Sequence, residues 1–302
     1  MFRKKDALLL LTSYGTMALG IFLPQLARPL WYAPMTFVMV LLLLSFLAID
    51  MRGLVTYTLK APLTTAGLLV AKTVLMPLLI YGLFHFLWPG YALAGLLVAG
   101  ASTAVLAPFF ANLFGADIVL TAGVVILSSL VLPFTLPPLV AVLAGQTMEV
   151  ALMPMVRMLA LMIFVPALLG RACARWLPRT TDRLLGVSYP LSLFAVGITN
   201  VGVFSRYSGF FLKEPVQALE AMAAGGVMVA VLMFLMAPVC RRLHAGLRAT
   251  APVCLLFPNY ILILAFSCQF FGPVEATFAA TYSVPFFLQL VFLRKIAALD
   301  CR

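Results

Sequence analysis

Charge is what this sequence has least of. Only 10% of its 302 residues are charged, and Asp and Glu together number 9. A soluble chain could not cover its surface with so few charges while 64% of its residues are hydrophobic and its mean hydropathy is +1.14, so a soluble globular protein is excluded. No stretch is polar enough or long enough to form an appended soluble domain. Histidine is nearly missing too. His85 and His244 stand near the ends of apolar runs, no HExxH or paired acidic motif occurs, and the acids are scattered. Metal-assisted hydrolysis and prenyl transfer therefore lack their groups, which argues against an integral membrane enzyme and against a resident cofactor or metal. The cysteines Cys173, Cys240, Cys254, Cys268 and Cys301 show no paired spacing and read as reduced, packing thiols. No small-residue cleavage motif follows Leu23, so the basic start and the apolar run behind it are expected to be a first span rather than a removed leader.

What fills the chain instead is a succession of apolar runs. They extend over roughly Ala7 to Leu23, Pro34 to Ala48, Pro62 to Leu87, Tyr91 to Phe114, Ile118 to Ala144, Val150 to Gly170, Leu184 to Phe204, Leu219 to Cys240, Ala251 to Phe271 and Val274 to Leu293. A helix needs about 20 mostly apolar residues to cross the hydrocarbon core. The expected fold class is all-α integral membrane with ten transmembrane helices, and the expected surroundings are a lipid bilayer.

The net charge of +11 does not call for nucleic acid, because its distribution has a simpler cause. Arg3, Lys4, Lys5, Arg52, Lys60, Arg171, Arg175, Arg179, Arg183, Arg241, Arg242, Arg248, Arg294, Lys295 and Arg302 all fall on one side of a ten-span chain. Only Arg28, Arg206 and Lys213 fall on the other. Basic loops stay in the cytoplasm, so a multi-pass protein of the cell (inner) membrane with both termini cytoplasmic is expected.

Lys72 and Arg157 are the two basic residues inside spans. Arg157 lies a turn or two inside the sixth run, where it attracts an anion or snorkels outward. Lys72 is too central to snorkel, with about ten apolar or small residues before it and about fifteen after it at ~1.5 Å each. Charges so placed mark a substrate, ion or proton path. No clear intramembrane carboxylate is left to neutralise it, which points the substrate towards a small organic anion.

The chain also repeats itself. Leu132 to Val140 reads LPFTLPPLV and Val284 to Val291 reads VPFFLQLV, so Pro133 and Pro285 stand half a chain apart. Ala71 to Pro77 (AKTVLMP) similarly matches Val231 to Pro238 (VLMFLMAP). This register makes residues 1–146 a first five-helix repeat and residues 147–302 a second. An odd number of spans per repeat inverts the second half, a common transporter plan. Corresponding spans are also interrupted: the fourth contains Gly100, Ser102, Thr103 and Pro108, and the ninth Pro252, Pro258 and Asn259. Helices broken inside a bilayer are tolerated where the freed groups line a cavity or meet protein partners. Plain kinks are the simpler alternative.

With its ten spans, its broken fourth and ninth helices and its K-T-V-L-M-P stretch, the chain resembles the bile acid:sodium symporter family, within a wider bile, arsenite and riboflavin-type transporter superfamily, over nearly its full length. The resemblance implies a six-helix core with two crossing broken helices, packed on a four-helix panel. It implies alternating-access transport of an organic anion, usually with sodium, from a crevice between the two. The departures concern sodium. Where the family pattern puts a sodium-binding glutamine, five residues before the M-P proline, this chain has Lys72. Aligned on Asn259, the family's glutamate becomes Cys254 and its glutamine Pro258, while its Ser-Asn pair falls near Ala107 and Pro108. Thr121 keeps a hydroxyl at a ligand position. Lys72 is thus expected to replace sodium, bonding carbonyls at the break in helix nine, either as a fixed cation or as a proton carrier. A sodium-coupled symporter is the rival reading, and a channel is the rival class.

The remaining polar residues have two readings each. Asn259 is a substrate contact or a helix cap, and Asn200 with Thr199 faces the crevice or joins helices. Gln289 is similarly ambiguous, and Asp117 reads as the amino-terminal cap of helix five.

Overall fold

The computed structural model describes residues 4–48, 61–145, 151–289 and 293. The basic residues Arg3, Arg52, Lys60, Arg294, Lys295 and Arg302, and Cys301, lie outside the described residues. Within them the chain is helical almost throughout. The main helices are α1 (Lys4–Phe22), α2 (Ala33–Leu47), α3 (Pro62–Leu87), α4a (Ala92–Gly100), α4b (Ala107–Phe114), α5 (Ile118–Ala144), α6 (Leu152–Trp176), α7 (Ser188–Arg206), α8 (Pro215–Arg242), α9a (Thr250–Leu256), α9b (Tyr260–Phe270) and α10 (Pro273–Thr281), which is followed by a helical stretch over 283–289.

Five of the described helices, α3, α5, α6, α7 and α8, are individually long and apolar enough to cross a membrane. α1 has 19 residues, and the remaining described runs fold as shorter apolar helices. The fourth and ninth are each interrupted, at 101–106 and 257–259, as the prolines and small residues there suggest.

Local chemistry explains several boundaries. Asp117 caps α5, its carboxylate accepting from the Leu120 N–H at 2.9 Å, as its position before an apolar run predicts. Pro108 falls in the first turn of α4b, where a missing N–H is harmless. Gly115 ends α4b with φ +67°, a left-handed stop that glycine adopts without a Cβ penalty. In α3, residues Ala71–Leu75 wind as a π-helix, with the Met76 N–H donating five residues back to the Ala71 carbonyl. Pro77 has no N–H to continue the α ladder, so the helix widens by one residue just where Lys72 sits.

Packing groups the helices into two sets, joined by α5 against α6 and by α9b against α2 and α7. In one, α1 packs on α7, and α2 lies between α6 and α7. In the other, α3 packs on α4a, α4b on α5, α9b on α10 and α8 on α10, while α9a touches both α5 and α4b. Small residues permit the closest approaches. A Cβ on Gly202 of α7 would stand 2.5 Å from the Leu30 carbonyl oxygen, and one on Gly95 of α4a 2.8 Å from Ile80. Without a hydrophobic drive between helices in lipid, such close backbone contact is what holds them together.

Candidate functional site

The two interruptions meet. Thr103 and Pro258 form an isolated antiparallel bridge. The Ala104 N–H donates to the Phe257 carbonyl at 2.7 Å, and the Asn259 N–H donates to the Ser102 carbonyl at 2.8 Å. Each break therefore satisfies backbone groups of the other, which is how non-helical chain is tolerated between apolar helices. Side chains reinforce the crossing. Thr103 Oγ1 donates to the Cys254 carbonyl at 2.7 Å, and the Thr103 N–H donates to Ser128 Oγ of α5 at 3.1 Å.

Lys72 reaches this crossing from the widened turn of α3. It is 0% exposed, and its Nζ donates to the Ala99 carbonyl at 3.1 Å. Its partner thus lies at the end of α4a and not on helix nine as the alignment suggested. The physical reason is that Ala99 is in the last turn of α4a, whose carbonyls have no N–H ahead of them and carry the negative pole of the helix. Gln289 plays a matching part, donating from Nε2 to the Leu256 carbonyl at the end of α9a at 3.0 Å. The C-terminal ends of both first half-helices are therefore closed by side-chain N–H donors.

The other sequence candidates distribute around this centre. Cys254 is buried and its thiol donates to Thr121 Oγ1 at 3.9 Å, while Thr121 in turn donates to the Asp117 carbonyl at 2.7 Å. Ser102 is buried, and its hydroxyl, like the Gln289 amide oxygen, has no hydrogen-bond partner among the described residues. Asn259 caps α9b, accepting from the Leu262 N–H at 3.3 Å. Asn200 stands apart: its Nδ2 donates to the Ser13 carbonyl at 3.3 Å and joins α7 to α1.

Beside the crossing lies a cavity of about 120 Å³ between the two helix sets. The breaks contribute Ala104, Val105 and Leu106 on one side and Pro258, Asn259 and Tyr260 on the other. The facing wall comes from Ser13 of α1, Leu42 of α2, and Tyr189 and Ser192 of α7, with Phe286 and Phe287 closing it. Of the polar lining, sequence reasoning found only Asn259. Ser13, Tyr189, Ser192 and Tyr260 were missed, because single hydroxyls in apolar runs give no signal until the helices are placed, and so was Ser128. Lys72 is not among the lining residues.

The half-helix ends are arranged with one polarity. α4b and α9b begin at the cavity, so their N-terminal, positive ends face it, while Lys72 and Gln289 close the negative ends of α4a and α9a. Such a cavity favours an anionic group against an apolar, aromatic wall. Among the described residues, no cluster of His, Cys, Asp and Glu is suited to hold a metal ion.

Two comparisons with known proteins add to this geometry. A family model described as the Sodium Bile acid symporter family matches residues 34–214. No curated protein matches the chain.

Proposed function

The chain belongs to the sodium bile acid symporter family, and from that premise we propose that it carries a small organic anion across the membrane by alternating access, without sodium, Lys72 standing in for the ion. It is a multi-pass membrane protein of a transporter family, and no enzymatic step is part of the proposal. The observation that carries the reading is the joint position of cavity and charge. The cavity sits at the positive ends of α4b and α9b, and the buried ammonium sits at the negative end of α4a. Among the described residues the lining contains no acidic side chain.

The replacement of sodium rests on chemistry at the crossing. A hard cation takes several oxygen ligands, and here an ammonium already occupies an end carbonyl of α4a while Cys254 brings a thiol where the family pattern has a carboxylate. Lys72 acts as a fixed cation or, if it discharges during the cycle, as a proton carrier. Ser102, Thr103, Pro108, Thr121, Cys254, Pro258 and Gln289 shape the crossing, and Asn259 faces the substrate. Asn200 braces the opposing wall.

The packing pattern supports two inverted halves, residues 1–146 and 147–302, and ten spans. Exchanging α1 to α5 with α6 to α10 maps the α1–α7 contact onto α6–α2, α4b–α5 onto α9b–α10, and α5–α9a onto α10–α4a. On this plan α1, α2, α6 and α7 are the panel and the other six helices the core. Basic-residue asymmetry supports a location in the cell (inner) membrane with both termini cytoplasmic. The cavity then lies towards the cytoplasmic half, since its α7 residues, Tyr189 to Val196, come early in that helix.

The test is uptake of a labelled organic-anion panel into proteoliposomes, comparing sodium and proton gradients at fixed membrane potential. Uptake driven by protons or by substrate alone is expected. Strict sodium dependence refutes the replacement and leaves a sodium-coupled symporter. Unsaturable flux without counterflow points to a channel.

A further inference from the structure

A second binding feature lies on the outer surface of the molecule, away from the crossing. The first turns of α2 and α6 come together at an open groove of about 320 Å³, lined by Met35, Met153, Pro154, Arg157, Met158 and Leu161. Arg157 is exposed, and among the described residues the lining is otherwise apolar and holds no acidic side chain. Both helices begin without a side-chain cap and without an acid in the first turn, so among the described residues no side chain offsets their N-terminal positive ends.

We propose that this groove holds one anionic phospholipid, its phosphate against the Arg157 guanidinium and the helix ends, and an acyl chain along the methionines. Depth favours that occupant. Arg157 is the sixth residue of α6, about 8 Å from its start. α6 spans 25 residues, about 38 Å, and its last six, from Arg171 on, lie past the apolar run, so its first turn sits at the edge of a hydrocarbon core of about 30 Å. The arginine stem therefore lies within the acyl region, and its head snorkels up the groove towards the phosphates, drawing one of them down to it. Guanidinium pairs with phosphate oxygens bidentately. Met153 is 71% exposed and Leu161 45%, giving the acyl chain an open, adaptable apolar bed. A free phosphate would use the charge but leave this bed empty.

The full chain, purified and stripped of loosely held lipid, is titrated with phosphatidylglycerol or with phosphatidylcholine of the same acyl chains and followed by native mass spectrometry. One phosphatidylglycerol is expected to bind in preference. Arg157→Gln is expected to weaken it about tenfold, and Arg157→Lys to keep part of the preference. Met153→Glu, which puts a carboxylate into the groove without touching the arginine, is expected to abolish it. Equal binding of the two lipids, identical titrations for wild type and Arg157→Gln, or displacement of the lipid by millimolar inorganic phosphate would each overturn the proposal.

Discussion

The Lys72 ammonium donates to the Ala99 carbonyl oxygen at 3.1 Å, so a charge on one helix closes the cut end of another. Neither partner could stand alone. An unpaired buried carbonyl costs about 1–3 kcal/mol, and a buried charge without partners costs more. The widened π turn before Pro77 is what lets the lysine face this end.

Substituting Lys72→Met keeps length and removes the charge. It relieves a buried cation and orphans a carbonyl, and these oppose, so stability is expected to change by no more than about 1–2 kcal/mol. Uptake is expected to fall at least about tenfold, the share one coupling contact of ~1.4 kcal/mol would carry. Thermal melting and proteoliposome uptake, measured across pH, decide it. Wild-type rate and pH dependence in Lys72→Met would remove Lys72 from the transport cycle.

Thr103 ties the two breaks together through the Cys254 carbonyl at 2.7 Å. Thr103→Val keeps the shape and loses this bond, and is expected to cost about 1–2 kcal/mol in unfolding free energy, whereas Thr103→Ser should restore most of it. Denaturation in detergent measures both.

Asn259 caps α9b and lines the cavity. Asn259→Asp preserves a capping acceptor at a positive helix end, which offsets part of the cost of burying a carboxylate, so a loss of about 1–3 kcal/mol is expected. It also places a negative charge where the substrate anion is expected, and KM should rise at least several-fold. An unchanged KM would argue against an anionic substrate at this end of the cavity.

Ser192 lines the cavity from the wall opposite the crossing. Ser192→Trp is expected to fill the cavity and stop uptake, while Ser192→Ala should transport normally. Substrate protection against thermal unfolding, lost in the first variant only, checks that binding and not folding has failed.

Gly202 stands against the Leu30 carbonyl and Pro34, where an added Cβ would come within 2.5 and 2.9 Å. Gly202→Ala is expected to destabilise by about 1–3 kcal/mol. Gly67 of α3 has open space around the same atom, and Gly67→Ala should be neutral or stabilising by up to about 1 kcal/mol. Paired melting curves make the comparison.

The sequence by itself determined the membrane class, the places of the apolar helices and the two interruptions. Those properties are local: hydropathy over some twenty residues, a proline without an N–H, an aspartate before an apolar run. The sequence also singled out Lys72, because a lone charge in an apolar helix stands out with no partner known. What it could not give was the partner. Ala99 is 27 residues away on another helix, and nothing in an alanine's identity says that its carbonyl will be left at a helix end beside an ammonium. The Thr103–Pro258 bridge, the Gln289 bond to Leu256 and the wall made by Ser13, Tyr189 and Ser192 are of the same kind. They join residues separated by tens to more than a hundred positions through backbone groups or single hydroxyls, which carry no pattern along the chain. Only the packing of the helices, set by how closely small residues let backbones approach, decided which of them meet.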